Sequence, residues 1–373
     1  MKICMLTTTH TPRDIRIFHK EAKTLSKYFN VTIIAPNEME WREVKNNVRI
    51  VTFRRARKTL HFLNLFRLFR NGMGENACVY HCHEPDSLLV AIIIKIIKKN
   101  CKIIYDVHEH WPSEIAYGWF KIKTKILRRP FEFLVDLIER TMVKFADGVI
   151  VVSESVGERF RSKGYTLIEN APLLSFSANP ESLKDSDLVL MGGDLQSFHG
   201  LEEILSAMLE VKKSYPGIKL KIVGNIKIDI KNIIIEKNLI DNVIFTGFLP
   251  LEDMYREISK AKAGIIILKN EYYNSYIGLP NKLFDYMLCG IPVIASDFPE
   301  IRRVVRKARC GILVNPTDIK EIAEAILYLL NNPEIARKMG LNGRMFIERE
   351  MNWEKIEEKL LRVYKEILSI KNN

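Results

Sequence analysis

The sequence predicts an α/β fold of two domains, each built on a mostly parallel β-sheet that helices cover. Short apolar runs rich in β-forming residues alternate with helical patterns along the 373-residue chain, and this alternation is typical of parallel sheets. The length suits two domains of ordinary size. A polar run at 175–187 separates two series of such elements. We therefore predict a first domain over 1–172, a linker over 173–187, a second domain over 188–350 and a final segment over 351–373.

In the first half, six apolar runs predict strands, and helical patterns lie between them. The runs are Lys2–Thr8, Val31–Ala35, Val48–Phe53, Ala77–Cys82, Cys101–Asp106 and Gly148–Val152. The helical patterns include Ile17–Phe29, Pro85–Lys98 and Pro130–Phe145. Ligands of such sheets bind at the carboxyl ends of the strands, so we expect functional residues directly after each run.

Polar residues follow the first predicted strand. They are His10, Arg13, Asp14 and Arg16. The loop has no G-x-G-x-x-G pattern, which argues against a nicotinamide or flavin dehydrogenase. For His10 alone, a solvated loop is an equally good interpretation.

The fourth strand ends in histidines and cysteines, which are residue types that can bind zinc. Strand alternation places His81 and His83 on one face of the sheet, and Cys78 and Cys82 on the other. Because this scatters the ligands, we predict no zinc site here.

The fifth strand ends in a titratable cluster. His108 follows the strand directly, and Asp106, Glu109 and His110 lie beside it. Such a cluster at the carboxyl end of a strand is a candidate for site chemistry. The alternative is a hydrogen-bonded structural histidine.

The second half repeats the pattern and contains the most informative stretch. Its predicted strands are Leu188–Met191, Leu220–Val223, Val243–Phe245, Ala263–Leu268 and Pro292–Ala295. The stretch GLPNKLFDYMLCGIPVIASDFPE, at Gly278–Glu300, predicts a loop, a helix, a tight turn and a strand. Pro280 suits the first turn of the helix, and Gly290 ends it.

One side of this helix is predicted to bind phosphate. The face that packs on the sheet is formed by Leu283, Phe284, Met287 and Leu288. Asn281, Lys282 and Asp285 fall on the other side. The N–H groups and partial positive charge of a helix N-terminus bind phosphate, and Lys282 adds charge. Asp285 can accept hydrogen bonds from sugar hydroxyls. The alternative is a capped helix with a solvated charged face.

The net charge of +12 is concentrated in the first half. Residues 1–180 hold 29 Lys and Arg against 18 Asp and Glu, and residues 181–373 hold 28 against 27. The basic residues cluster in Arg54–Arg70 and Lys121–Arg129, beside aromatic and leucine side chains. Such segments suit an anionic membrane surface. The alternative is a core helix over Leu60–Phe69 with charges that only solvate the surface.

The stretch at Gly278–Glu300 resembles the donor-site segment of the family 4 retaining glycosyltransferases, which have the GT-B fold. ADGVIVVSES at Ala146–Ser155, CGILVNP at Cys310–Pro316 and MNWEK at Met351–Lys355 are similar to family strings at family-like intervals. The resemblance extends over nearly the whole chain. It implies two Rossmann-like domains facing across a cleft and a last helix that crosses back to the first domain. It also implies transfer of a sugar from a nucleotide-sugar donor.

The resemblance assigns roles to individual residues. It places His108 near the transferred sugar, and with Asp285 this residue is the catalytic candidate. The donor-binding candidates are Gly193, His199, Gly224, Phe248, Pro280, Asn281, Lys282 and Asp285. The acceptor-side candidates are His10, Arg13, Arg16, His83 and Glu109.

The sequence departs from the family pattern in two places. Asp194 and His199 occupy positions where the family has the Arg and Lys that bind the donor diphosphate, and Asp194 would repel a phosphate. Ile277 stands where the wider family has the first of two carboxylates, and Glu271 is the nearest upstream substitute. Diphosphate binding must therefore depend on the helix N-terminus and on Lys282.

We therefore expect a retaining glycosyltransferase that acts on a lipid-linked or glycan acceptor, in surface polysaccharide or glycoconjugate biosynthesis. We expect no metal cofactor, because a helix N-terminus and Lys282 can neutralise the donor diphosphate. The alternatives are a GT-B nucleotide-sugar epimerase and a catalytically impaired sugar-nucleotide-binding protein. A nucleic-acid partner is not predicted, since no basic motif interleaved with aromatics is present. The cysteine pattern and the lack of an apolar run of membrane length predict a cytoplasmic protein, peripheral on the membrane.

Overall fold

The structure is a computed structural model that describes residues 1–122, 124–176, 185–226 and 230–369. The chain divides into two compact units. Unit 1 comprises Met1–Asn170 and Ile356–Asn373, and unit 2 comprises Ala171–Lys355. Most of the predicted linker, residues 177–184, lies outside the described residues.

Unit 1 contains an eight-stranded sheet in the order β3-β4-β2-β1-β5-β6-β7-β8. Its strands are β1 Lys2–Leu6, β2 Asn30–Asn37, β3 Arg42–Lys45, β4 Val48–Arg54, β5 Val79–Cys82, β6 Lys102–Val107, β7 Gly148–Val151 and β8 Thr166–Leu167. The strand pairs are parallel except for β3 with β4, which is antiparallel. This confirms the predicted α/β sheet. The two strands that the sequence did not predict are short, and β3 reads REVK without an apolar run.

The helices of unit 1 cover this sheet. They are α1 Lys23–Ser26, α2 Phe62–Glu75, α3 Pro85–Lys98, α4 Trp111–Ser113, α5 Lys125–Val143 and α6 Glu154–Gly157, with π-helices at Ile15–Ala22 and Glu114–Trp119. The pattern at Ile17–Phe29 predicted one helix, but the structure has the first π-helix followed by α1. Asp14 begins that π-helix because its carboxylate accepts the N–H groups of Arg16 and Ile17.

Unit 2 contains a six-stranded parallel sheet in the order β11-β10-β9-β12-β13-β14. Its strands are β9 Ser186–Leu195, β10 Leu220–Ile226, β11 Val243–Gly247, β12 Ala261–Ile266, β13 Val293–Ser296 and β14 Gly311–Val314. The first of them begins inside the predicted linker and continues through Gly192 and Gly193. The string CGILVNP supplies β14, an edge strand that we did not predict.

The helices of unit 2 pack on both faces of its sheet. They are α7 Leu201–Lys212, α8 Lys231–Glu236, α9 Leu251–Ser259, α10 Tyr273–Ile277, α11 Asn281–Leu288, α12 Pro299–Ala308, α13 Ile319–Asn331 and α14 Pro333–Arg349. One core combines the inner faces of α7 and α13 with β9 and β10. Pro280 immediately precedes α11 rather than lying inside it.

The last helix, α15 Trp353–Ile367, joins unit 1 from Ile356 onward, as the family resemblance implied. Glu357 accepts hydrogen bonds from Thr24 and Lys27 of that unit. The Tyr364 hydroxyl lies 2.7 Å from His81 Nδ1, and both side chains are fully buried. In the part of the chain that the structure describes, no helix is both long enough and apolar enough to span a bilayer.

Candidate functional site

In unit 1, adjacent parallel strands bring their polar carboxyl ends to one edge of the sheet. Strands β1, β5 and β6 are neighbours, and each is followed by candidate residues. Glu84 ties the loop after β1 to the end of β5, because its buried carboxylate accepts hydrogen bonds from the hydroxyls of Thr7 and Thr9. The His10 and His108 ring centroids are 5.0 Å apart. Residues predicted to follow neighbouring strands therefore do lie together at this edge.

A buried carboxylate lies at the centre of this edge. Asp106 is fully buried and forms a bidentate pair with Arg16, with both N···O distances at 2.9 Å. Its Oδ2 also lies 2.9 Å from His108 Nε2 and 3.5 Å from His83 Nδ1. Arg16 donates a further hydrogen bond to the carbonyl oxygen of Ile168. The network fixes the position of His108 from several separate elements.

The charges in this network follow from burial and from the ion pair. Burial alone would favour the protonated carboxyl, but the Arg16 guanidinium holds the pKa of Asp106 well below its usual range. Burial lowers the pKa of His108 and of His83, although Asp106 opposes the change in each case. Near neutral pH, His108 is therefore a neutral imidazole beside an ionised carboxylate.

Two predicted acceptor-side residues do not reach solvent. Arg16 is 3% exposed and His83 is 0% exposed, and both contact the Asp106 carboxylate. They support His108 rather than facing an acceptor, since strand and π-helix geometry turn them inward. His10 and Glu109 are half-buried, and Arg13 is exposed and paired with Glu43. Only these three remain available to an acceptor.

His10 differs from His108 in charge. Burial opposes protonation of His10, but hydrogen bonding to Asp14 and the charges of Glu84 and Asp14 raise its pKa to about 9. Its Nδ1 lies 3.4 Å from Asp14 Oδ2. One edge of the sheet thus presents an imidazolium and a neutral imidazole side by side.

Four buried side chains near this edge have the spacing of a metal site. Ligand atoms of Glu21, His81, His83 and Asp106 all lie within 4.8 Å of one another. However, Arg16 bonds both oxygens of Asp106, and its Nε lies 3.0 Å from Glu21 Oε1, so a cation would meet a guanidinium. Burial and the Asp106 charge also raise the pKa of Glu21 well above its usual range, so this carboxyl is neutral. The cluster is charge-balanced without an ion, and these residues do not fit a metal centre.

In unit 2, contacts with the sheet fix the position of α11. The Tyr286 ring lies against Gly264 of β12, where an added Cβ would come within 2.2 Å of it. The Tyr286 hydroxyl accepts the N–H of Met191, the residue before the glycine turn of β9. These contacts hold the first turn of α11 beside Gly192 and Gly193.

Lys282 is buried, which corrects the prediction that it lies on the outer side of α11. It is 8% exposed, and its Nζ lies 3.6 Å from the position that a Cβ on Gly192 would occupy. Burial lowers its pKa to about 8, although Asp285 opposes the change. Lys282 makes no hydrogen bond or ion pair with any residue that the structure describes. A buried ammonium of this kind is costly unless an anion binds to it.

His199 supplies a second donor near Lys282. Its Nδ1 accepts the N–H of Gln196 at 3.0 Å, so Nε2 carries the proton. Burial, and then the Lys282 charge, lower its pKa to about 3. His199 is therefore a neutral N–H donor where the family pattern has a lysine.

Asp285 has a partner that the sequence did not indicate. The Tyr255 hydroxyl donates to Asp285 Oδ1 at 2.7 Å, and this fixes the carboxylate. Tyr255 lies in α9, thirty residues earlier in the chain, and its pattern there is that of an ordinary packed aromatic residue. Asn281 and Phe248 are exposed, so both can contact a ligand.

The space around two candidate glycines explains why a residue without a side chain suits these positions. Gly224 has φ +123°, and an added Cβ would lie 1.7 Å from the Gly192 carbonyl oxygen. Gly193 is exposed with open space at its Cβ position, so a ligand can approach the backbone there. Asp194 next to it is exposed.

The carboxylate missing from the family pattern is not replaced at the same position. Ile277 is 2% exposed and packs in the core. Glu271 lies beside the turn that holds His199, where its carboxylate accepts a hydrogen bond from Ser197.

Sequence models of two families match most of the chain. The family described as Glycosyltransferase Family 4 matches residues 16–170, and the family described as Glycosyl transferases group 1 matches residues 176–346. The two matches coincide closely with units 1 and 2. An uncharacterised glycosyltransferase of Methanocaldococcus jannaschii is 21% identical over 369 residues, covering 91% of each chain.

Solved structures share the fold over nearly the full length. Sucrose-phosphate synthase of Thermosynechococcus elongatus superposes with a TM-score of 0.79 at 20% identity, covering 99% of this chain and 100% of that one. HepE of Anabaena in complex with UDP-glucose gives a TM-score of 0.70 at 14% identity, covering 99% of this chain and 100% of that one. These similarities confirm the GT-B fold.

Proposed function

Because the chain belongs to the family 4 type of glycosyltransferases with the GT-B fold, we propose that it transfers a sugar from a nucleoside diphosphate sugar with retention of anomeric configuration. The observation that carries the donor assignment is Lys282. It is a buried ammonium beneath a glycine turn, and it forms no hydrogen bond or ion pair with the described residues. A diphosphate supplies the missing negative charge. A solved structure of the same fold contains UDP-glucose, which supports this class of donor.

Three groups of unit 2 converge on the proposed diphosphate. Lys282 provides a charged contact, His199 Nε2 donates a neutral hydrogen bond, and the N-terminus of α11 adds its partial positive charge. Together they stabilise the charge that develops on the leaving diphosphate. In this proposal no metal is required for that task. Donor binding that survives a chelator, with no stoichiometric metal in the purified protein, is the expected result.

The proposed retention of configuration rests on the resemblance to the family 4 retaining glycosyltransferases, and no residue of this chain is assigned as a carboxylate nucleophile. Departure of the diphosphate and attack of the acceptor on the same face of the sugar give retention without a covalent intermediate. Unit 1 contributes His108, which orients the transferred sugar. Its neutral form suits contact with an uncharged hydroxyl group.

A panel of nucleotide sugars tests the proposed function. The correct donor stabilises the native state and raises the melting temperature, by an amount that grows with ligand concentration. The panel should include UDP-, GDP-, ADP- and TDP-sugars, with the free nucleotides as controls. NMR of the product then gives the anomeric configuration. Product of inverted configuration would disprove retention, and no stabilisation by any member would disprove the donor assignment.

A catalytically impaired binding protein is the second candidate, and Asp194 and Ile277 favour it. Both residues depart from the family pattern at the donor side. This alternative predicts the same thermal stabilisation without turnover. Donor hydrolysis, measured as release of free nucleotide with and without candidate acceptors, separates the two.

We also propose that unit 1 docks on an anionic membrane that carries a lipid-linked acceptor for surface polysaccharide or glycoconjugate synthesis. Two separate basic segments meet there. Lys58 Nζ donates to the Trp119 carbonyl oxygen at 2.9 Å, and the His61 ring packs edge-on against the Trp119 ring. The exposed apolar side chains of the two segments are Leu60, Phe62, Phe66, Phe120, Ile126 and Leu127. Basic residues beside exposed aromatics suit an anionic lipid surface.

The orientation of α2 differs from that of a core helix over Leu60–Phe69. One side of the helix faces inward, because buried Asn64 accepts the N–H of Ala56, and His61 just before the helix bonds Asp86. Phe62 and Phe66 are therefore exposed, so the helix is not wholly part of the core. Lys123 lies outside the described residues.

The membrane proposal predicts salt-sensitive sedimentation with vesicles that contain phosphatidylglycerol. Arg57 and Arg129 are exposed, whereas Arg128 is half-buried beside Glu132 and Tyr117. The double variant Arg57→Glu/Arg129→Glu should lose at least about 2 kcal/mol of binding, or roughly thirty-fold in partitioning.

The matched control is Lys320→Glu/Arg337→Glu, which makes the same charge change at exposed positions of unit 2. It should bind like the wild type. A wild-type protein that stays in the supernatant with anionic vesicles at low salt would rule out docking. Equal losses in both double variants would indicate a net-charge effect rather than a surface on unit 1.

A further inference from the structure

The Asp106 carboxylate makes directed contacts on two sides. On one side both of its oxygens are held by Arg16, and on the other Oδ2 lies 2.9 Å from His108 Nε2. All three side chains are largely buried: Asp106 is 0%, Arg16 3% and the His108 side chain 11% exposed. Asp106 and His108 are two residues apart at the end of β6, so strand alternation places both on one face. The geometry leaves the imidazole little freedom to turn.

The contact fixes which ring nitrogen of His108 carries the proton. An ionised carboxylate only accepts hydrogen bonds, and Arg16 keeps Asp106 ionised. The facing nitrogen, Nε2, must therefore be the N–H donor. His83 Nδ1 lies 3.2 Å from the same nitrogen, His108 Nε2. Nδ1 of His108, by contrast, makes no hydrogen bond or ion pair with the described residues of the chain. In a neutral ring, Nδ1 is a lone-pair acceptor.

We propose that Asp106 is a positioning residue that holds His108 as the Nε2–H tautomer, so that Nδ1 accepts a hydrogen bond from a hydroxyl group of the bound sugar. This role for the site rests on the proposed glycosyl transfer. The tautomer also determines which chemical group of a ligand can contact His108 Nδ1. A lone pair repels a phosphate oxygen and attracts a hydroxyl hydrogen, so the group that meets His108 is a hydroxyl rather than a phosphate.

The tautomer can be measured without any substrate. In wild-type protein labelled with ¹⁵N-histidine, the His108 ring should show one protonated and one unprotonated nitrogen near neutral pH, with the proton on Nε2. Loss of these signals in His108→Gln assigns them among the eight histidines. A proton on Nδ1, or a doubly protonated ring, would overturn the proposal even if the protein transfers no sugar.

The variant Asp106→Asn tests the positioning role. An amide presents either an oxygen or an N–H group to His108, so the Nε2–H tautomer is no longer enforced. We expect kcat to fall on the order of 10–100-fold, as for a misplaced catalytic group, while the donor Kd changes less than threefold. The ring signals should show the second tautomer.

Glu139→Gln is the matched control. Glu139 is also a buried carboxylate of unit 1 paired with an arginine, Arg159, but its other partner is Tyr105 rather than a histidine. It should keep wild-type kcat and tautomer signals. If Asp106→Asn does not fold, Arg16→Lys keeps the charge, loses the bidentate geometry and should show a smaller fall in kcat. Wild-type kcat in a folded Asp106→Asn protein, or an equal fall in Glu139→Gln, would overturn the positioning role.

Discussion

The variant Lys282→Met should bind the nucleotide-sugar donor 10–100-fold more weakly and yet unfold at a higher temperature than the wild type. The side chain is buried, and its pKa is lowered to about 8 by burial. Removal of a charge-assisted phosphate contact costs on the order of 1.5–3 kcal/mol of binding. The same substitution removes a buried charge that opposes folding by an amount on the order of 3 kcal/mol. Isothermal titration and thermal unfolding without ligand measure the two effects. Lys282→Ala should weaken the donor similarly, but gain less stability because it leaves a cavity.

The pH dependence of both quantities follows from the lowered pKa of Lys282. The pKa of Lys282 is lower in the folded state than in the unfolded chain. Between about pH 8 and the ordinary lysine pKa, the unfolded chain therefore binds more protons than the folded protein. Because of this difference, the free energy by which Lys282 destabilises the folded state decreases as the pH rises through that range. Donor affinity should fall above about pH 8, as the ammonium loses its proton. Both trends should disappear in Lys282→Met.

Lys221→Met is the control for a buried lysine that has partners. Lys221 is 2% exposed and contacts Asp185 at 2.6 Å and Glu257 at 2.7 Å. Its replacement should lower stability, because it leaves two carboxylates without their cation, and should leave donor affinity unchanged. If Lys282→Met binds donor like the wild type, the phosphate role of Lys282 is wrong. If it unfolds earlier, the ammonium has a stabilising partner in the free protein.

The variant His108→Ala should lower kcat about 10²–10³-fold and change the donor Kd by less than fivefold. The residue acts on the transferred sugar in the proposed mechanism, and a group that acts mainly in the transition state lowers turnover more than binding. Steady-state kinetics with the identified donor, together with titration of that donor, give the two values.

His19→Ala is a matched control on the same unit, because His19 is half-buried on the π-helix and contacts Phe18 rather than the strand ends. It should keep wild-type turnover. Equal losses of turnover and affinity in His108→Ala, or a large fall in melting temperature, would support the structural role that the sequence left open.

The sequence predicted those features that depend on neighbouring residues. The helix Pro85–Lys98 has the predicted bounds, because Pro85 starts it and the apolar pattern runs its full length. Most strands were predicted from their own apolar runs, whereas the last helix that returns to unit 1 was implied by the family resemblance. The π-helix at Ile15–Ala22 was not, since nothing in its composition distinguishes it from an α-helix.

Features that depend on distant contacts were missed or misplaced. Helical spacing put Lys282 on the outer side of α11, but the glycine turn of β9, ninety residues earlier, covers it. The Arg16–Asp106 pair and the Tyr255–Asp285 bond join residues 90 and 30 positions apart. A clue existed for the first pair, because aspartate is uncommon inside a strand and needs a partner there. No comparable signal marked Tyr255.

Unit 1 is formed by two separate segments of the chain, and this affects the order in which the protein folds during synthesis. Its core needs α15, whose Tyr364 bonds buried His81, but α15 leaves the ribosome only after the whole of unit 2. Unit 2 is continuous, so it can finish folding before unit 1, although it comes second in the chain. At about 5–20 residues per second, the first 170 residues wait on the order of 10–40 s for their final helix. During translation, the nascent first domain therefore exposes the His81 side of its core until α15 has been synthesised and packs against it.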